Sequence, residues 1–125
     1  MLMGVASAFR QNYPKAKIVA LEPATSAILS GGEAGDHHVE GIGLGVWPPL
    51  LDQALYDEVR TVEEGEARAM ARRLAKEEGI FAGLSTGLNV VAALQLAAEL
   101  GQGKTVATVA VDTGLKYLAG DLYRP

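Results

Sequence analysis

A chain of 125 residues is the size of one domain around one core, and its cysteine count of zero excludes a disulfide framework, a thiolate metal site and a cysteine nucleophile. Its net charge of −4 with scattered basic residues argues against a nucleic-acid footprint. Hydrophobic residues make up 49% and charged ones 21%, which is ordinary for a soluble globular protein; the lack of cysteine fits a reducing, cytoplasmic compartment, and the first residues lack the pattern of a signal peptide.

In chain order, Gly4 to Asn12 has Val5 and Phe9 on one helical face, and Tyr13-Pro14 ends the helix. Lys17 to Glu22 is a near-continuous apolar run closed by Pro23, as expected of a strand buried on both faces of a sheet. From Ala24 to about Tyr56 the periodicity dissolves among six glycines and Pro48-Pro49. A stretch so long without an element is usually a functional loop or lid, here with short helical turns near Ser26 and Leu51. Asp57 to Val62 reads as a short strand. Glu63 to Glu78 follows as a helix, with Ala67, Met70, Ala71, Leu74 and Ala75 on one face, acidic residues in its first turn and Gly79 at its end.

Ile80 to Gly83 is a short strand leading into Leu84-Ser85-Thr86-Gly87, where Ser85 or Thr86 is placed to cap the next helix, Gly87 to Leu100. Ile80 to Ala98 carries no charge, yet its glycines, hydroxyls and amides mark a buried core helix rather than a membrane span. Lys104 to Asp112 is the last and clearest strand, its core spanning Thr105 to Val111. Strands separated by helices predict crossover units: an α/β fold with a three-layer parallel sheet and flanking helices. Three long helices are too few to cover both faces of such a sheet, so residues 1–125 read as a single, partial domain.

Four constellations could carry chemistry. His37-His38 lacks a third ligand, and a metal site is rejected. Gly41 to Gly45 is no dinucleotide loop, because Val46-Trp47-Pro48-Pro49 follows it instead of a helix; its glycines permit close approach of backbone to a ligand or to another segment. Gly83 to Gly87 is either a helix cap or an anion site at a helix N-terminus. In "AVDTGLKYL", Asp112 and Thr113 stand at the carboxyl end of the last strand, where ligands bind in open α/β sheets. A helix cap is the competing role for Asp112.

The order of these signals resembles the C-terminal half of a cysteine synthase, and more broadly the fold type II pyridoxal-phosphate enzymes that include cystathionine β-synthase and tryptophan synthase β. The matching residues are Glu22-Pro23, Ser30-Gly31-Gly32, His38, Gly41-Ile42-Gly43, Gly45, Glu78-Gly79, Gly83, Ser85-Thr86-Gly87, Gly114 and Tyr117-Leu118. The resemblance covers almost the whole chain. It implies a partial large domain of that fold, pyridoxal phosphate as the cofactor of the full-length enzymes, and β-replacement or β-elimination on an O-activated serine or a related small amino acid.

Residue by residue, the resemblance puts Asp112 and Thr113 at the cofactor and Gly41 and Gly43 at the substrate. Asp112 falls where the family places the group that meets the pyridine nitrogen, usually a hydroxyl residue; an aspartate there would pair with a protonated ring. Glu40 replaces the family's usual glutamine, and Lys116 takes the place of an arginine. The Schiff-base lysine and the phosphate loop belong to the N-terminal half of the family, and none of the five lysines (Lys15, Lys17, Lys76, Lys104, Lys116) sits in that motif. No catalytic residue is therefore assigned. The chain alone is expected to be inactive, to leave the cofactor unbound, and to self-associate or to join a complementary N-terminal half. A non-catalytic remnant or interaction module that keeps the fold is the alternative, with a generic α/β small-molecule binder behind it.

Overall fold

The structure is a computed structural model describing residues 1–124. Helix α1 (Leu2–Asn12) leads to strand β1 (Val19–Pro23), a long loop containing a single 3-10 turn (Gln53–Leu55), and strand β2 (Glu58–Val62). Helix α2 (Glu64–Arg73) continues into a π-turn (Leu74–Glu78), followed by α3 (Leu84–Leu100) and a 3-10 turn (Gly114–Tyr117). β1 and β2 are parallel, with Val19 opposite Glu58 and Pro23 opposite Val62. The expected parallel sheet with flanking helices is present, but it contains two strands.

Asp57 sets that register. Its carboxylate accepts from the Ile18 amide and from Arg10, both at 2.7 Å, while its own amide donates to the Ile18 carbonyl at 2.8 Å. The Ile18 amide first, and Arg10 second, hold the Asp57 carboxyl below the usual carboxylate range. One side chain thus joins α1, the start of β1 and the start of β2.

The core lies where α2 and α3 cross beside β2: Val62, Ala67, Ala71, Leu84, Leu88 and Val91 are buried together. Small residues on α2 allow a close crossing. A Cβ on Gly87 would collide with the Ala67 carbonyl oxygen and come within 3.0 Å of the Ala71 amide nitrogen, so the helix backbones meet directly there. Gly79 ends the α2 run at φ 69°, in the left-handed region, with its amide bonded to the Leu74 carbonyl.

Three expectations need correction. α3 begins at Leu84 with Gly83 as its N-cap, and neither Ser85 nor Thr86 caps it. Thr86 is 1% exposed, and its hydroxyl oxygen instead accepts from the Val111 amide at 3.0 Å. The expected strand at Ile80 to Gly83 reduces to one antiparallel bridge between Ala82 and Thr113. The third strand, Thr105 to Val111, is not part of the sheet. It hangs on α3 through side chains, with Asn89 donating to the Val109 carbonyl at 2.9 Å. A strand becomes a strand by pairing, and no described segment lies beside this one to bond its backbone. Val109 and Val111 are 44% and 46% exposed in consequence. No helix among the described residues is long and apolar enough to cross a membrane.

The Gly87 contact yields a stability prediction. Gly87→Ala adds helix propensity of about 1 kcal/mol, but a methyl group against helix backbone forces the crossing open at about 1–3 kcal/mol. Urea unfolding should show the variant equal to or less stable than the parent. A variant clearly more stable would show that the helices do not meet as closely as described.

Candidate functional site

The long loop and the C-terminal segment meet at one cation. Lys116 Nζ donates to Glu40 Oε2 and to Asp112 Oδ2, each at 3.0 Å. Glu40 directly precedes the glycines 41–45, and Asp112 ends the last apolar run, so Lys116 joins segments more than seventy residues apart. Glu40 first, then Asp112, raises the pKa of the Lys116 ammonium above its ordinary value.

Asp112 is bound from several sides. Its Oδ2 also accepts from the Tyr117 hydroxyl at 2.9 Å, its backbone carbonyl accepts from the Gly83 amide at 3.2 Å, and its Oδ1 is buried with no hydrogen-bond partner among the described residues. Oδ1 lies against Gly83: a Cβ there would overlap it and would approach Tyr117 Cε2 to 2.6 Å. Gly83 is thus the residue whose missing side chain admits the Asp112–Tyr117 pair. Burial, and next the hydrogen bond to Asp112, push the Tyr117 phenol up to about 12.

Thr113 is exposed, in contrast to its neighbour. Its hydroxyl oxygen accepts from the Leu115 amide at 3.3 Å as the cap of the last 3-10 turn, and the hydroxyl proton has no acceptor among the described residues.

The loop on the other side of Lys116 is organised from β1. Glu22, 2% exposed, accepts from the Leu29 amide (2.8 Å), the Ser30 amide (2.7 Å) and the Ser30 hydroxyl (2.6 Å). Three donors meet the cost of burying a carboxylate and fix how the loop leaves the strand. Gly41, Gly43 and Gly45 have φ of 85°, 61° and 71°, left-handed values that glycine adopts without penalty. The Gly43 carbonyl accepts from Ser26 Oγ at 3.2 Å and pairs with His37 Nε2 at 2.8 Å. His37 is therefore the histidine tied to the glycine loop. His38, the one matched from the sequence, is an exposed partner of Glu64.

The sequence-predicted residues thus fall on two segments that Lys116 connects. Gly41 and Gly43 lie on one; Asp112 and Thr113 lie on the other. Reasoning from the sequence alone left out the roles of Lys116, Tyr117, Gly83 and His37. The i, i+4 spacing of Asp112 and Lys116 was a usable signal for the first of these.

Comparison with known proteins decides the family. Residues 1–112 match the family described as "Pyridoxal-phosphate dependent enzyme". The chain belongs to that family. The cysteine synthase of Staphylococcus aureus is 48% identical over 122 residues, which is 98% of this chain and 39% of that protein. The O-ureido-L-serine synthase of Streptomyces lavendulae is 39% identical over 122 residues, 98% of this chain and 38% of that one. Among solved structures, O-acetyl serine sulfhydrylase isoform 3 from Entamoeba histolytica superposes with a TM-score of 0.93 at 35% identity, covering 99% of this chain and 37% of that chain. A hydrogen sulfide-producing enzyme from Fusobacterium nucleatum gives a TM-score of 0.90 at 38% identity, with coverage of 99% and 37%. This member of the pyridoxal-phosphate family spans about two-fifths of the length of these relatives, and what it carries is part of their large fold.

Whether its residues suit that cofactor turns on the end of the last apolar run. Asp112 has one oxygen committed to Lys116 and Tyr117 and the other buried against Gly83; Thr113 has an exposed hydroxyl proton. A hydroxyl proton suits an unprotonated pyridine nitrogen, so Thr113, rather than the Asp112 that the resemblance puts at the pyridine nitrogen, offers the donor that would suit the ring edge of the cofactor.

The Tyr117 assignment can be tested directly. Asp112→Asn removes the negative acceptor that opposes phenolate formation, so Tyr117 should titrate below its value of about 12. It should stay above the ordinary value of about 10, because burial remains. Tyrosinate absorbance across alkaline pH reads this. An unchanged titration would place the cause of the shift elsewhere.

Proposed function

We propose that this chain forms the ring-edge and substrate-side walls of a cysteine synthase-like site. That site performs β-replacement or β-elimination on an O-activated serine or a related amino acid. The observation that carries the reading is the Lys116 bridge between Glu40 and Asp112, 3.0 Å on each side, which joins the loop matched to substrate with the segment matched to cofactor. The names of two relatives, a synthase of O-ureido-L-serine and an O-acetyl serine sulfhydrylase, both carry an O-substituted serine and support the substrate class.

Pyridoxal phosphate, when bound, supplies an electron sink for carbanion chemistry at the amino-acid substrate. The residues of this chain orient and select. Thr113 would hold the ring edge by donating a hydrogen bond to its nitrogen. Asp112, neutralised by Lys116 and bonded to Tyr117, fixes the turn that aims Thr113. Gly41 and Gly43 bring backbone close to the amino-acid end of the substrate, and the Glu40–Lys116 pair holds their loop to the ring side.

The remaining parts of the site, including the lysine and the phosphate loop implied by the resemblance, come from polypeptide outside this sequence. Phe81, Val109, Val111, Leu115 and Leu118 are exposed apolar residues around the ring-side segment and offer the surface on which that polypeptide packs. One hydrogen bond from Thr113 contributes about 0.5–1.5 kcal/mol, whereas micromolar binding requires about 8 kcal/mol. The chain alone therefore does not retain the cofactor.

Absorbance spectroscopy tests this. Mixed with pyridoxal phosphate, the chain alone should show the spectrum of the free cofactor and no synthesis of cysteine from an activated serine and sulfide. A complementary N-terminal part of a family member should restore both. In that complemented enzyme, Thr113→Val should lower turnover roughly three- to tenfold, whereas Thr113→Ser, which keeps both the hydroxyl proton and the turn cap, should leave it near the parent value. Turnover by the chain alone would overturn the reading. Restoration by no family complement would favour an interaction module that keeps the fold without the chemistry.

A further inference from the structure

Of Gly41, Gly43 and Gly45, Gly43 is the one whose surroundings leave no room. A Cβ there would lie 2.5 Å from His37 Nε2 and 2.9 Å from Pro23 Cδ, whereas Gly41 has nothing within 4 Å. Gly43 therefore packs directly against the His37 ring on one side and against Pro23, at the end of β1, on another.

Both ring nitrogens of His37 are engaged. Nδ1 lies 3.2 Å from the Val39 amide, which can only donate, so Nδ1 is the acceptor and carries no proton. Nε2 lies 2.8 Å from the Gly43 carbonyl, which can only accept, so Nε2 carries the proton. The hydrogen-bond network thus assigns a neutral imidazole in the Nε2–H tautomer. Ser26 Oγ donates to the same carbonyl at 3.2 Å, so both lone pairs of the Gly43 oxygen are used. Val39 is itself 2% exposed and part of the core, and the clamp therefore runs from the core, through the imidazole, to the glycine loop.

We infer that His37 is a positioning residue: a two-ended clamp that fixes the Gly43 peptide, and with it the backbone of residues 41–45 that faces the amino-acid substrate. A free loop of glycines samples many conformations, and ordering it at each binding event costs affinity. An imidazole tied at both nitrogens meets that ordering cost in advance. This role rests on the reading of the glycine loop as the substrate side, but its first test needs no substrate.

The test uses the full chain labelled with 13C and 15N, so that the Gly43 carbonyl shift, expected to change in His37→Ala, is read alongside the ring nitrogens. Side-chain spectra at mildly alkaline pH should give His37 as the pure Nε2–H tautomer, distinct from exposed His38. An Nδ1–H tautomer, or signals averaged like those of His38, would overturn the clamp. Hydrogen exchange of the Val39 amide should speed up roughly three- to tenfold in His37→Ala, the effect of one lost hydrogen bond, with amides of α3 unchanged. His37→Asn, whose side-chain oxygen replaces Nδ1, should restore protection at Val39 without restoring the Gly43 carbonyl shift. His37→Gln, whose amide replaces Nε2–H, should do the reverse. Unaltered exchange in His37→Ala would equally count against the clamp. In a complemented enzyme, His37→Ala should raise KM for the amino acid roughly two- to tenfold with kcat little changed. A confirmed clamp with unchanged KM would instead remove the glycine loop from the substrate side.

Discussion

The first two turns of α3 are the constraint on which the rest of the molecule depends. Leu84 to Leu88 are all buried, and each neighbouring element meets them through a different residue. Gly87 admits the backbone of α2, Thr86 takes the Val111 amide, Asn89 holds the Val109 carbonyl, and Gly83 makes room for Asp112 and Tyr117. Two of these residues work by lacking a side chain and two by bonding foreign backbone. The outcome is that the C-terminal segment, which has no strand beside it, is still directed to a defined place. Without that, Asp112, Thr113 and Lys116 would have no fixed relation to the loop at Glu40.

Electrostatics at the site follows from the same geometry. A carboxylate with one oxygen buried against glycine is costly unless its charge is balanced, and Lys116 balances it from the solvent side. The Lys116 pairs are largely exposed, so their worth to stability is small. Their effect is on arrangement: Lys116 sits between two carboxylates and thereby fixes the distance between two loops. Glu22 and His37 act alike on the other wall. A buried carboxylate with three donors and an imidazole engaged at both nitrogens turn a glycine-rich stretch into a shaped surface.

Much of this was legible in the sequence, for reasons that can be named. The β1 segment is a short apolar run closed by a proline, β2 carries the β-branched Val59, Thr61 and Val62 before acidic residues, and α2 displays its apolar face at helical spacing. Local pattern determines such elements. Thr105 to Val111 has the most strand-like composition in the chain, yet pairing is a property of two segments, and one segment cannot reveal a missing neighbour. Ser85 and Thr86 have the composition of a cap, but capping is decided by where the helix begins, and Gly83 begins it earlier. The site was legible as a set of positions and illegible as a set of roles. Asp112 and Thr113 differ in surroundings because one side chain turns inward against Gly83 and the other outward, which spacing alone does not express. His37 and His38 differ for the same reason.

The central claim is that this chain is one part of a sheet and a site that further polypeptide completes. Amide hydrogen exchange along Thr105 to Ala110 measures it most directly. With the chain alone, these amides should exchange at nearly the rate of an open chain, while those of β1 and β2 are protected. With a complementary N-terminal part of a family member, protection should appear along Thr105 to Ala110, as these residues gain neighbouring strands. Strong protection of Thr105 to Ala110 in the monomeric chain alone would contradict the account.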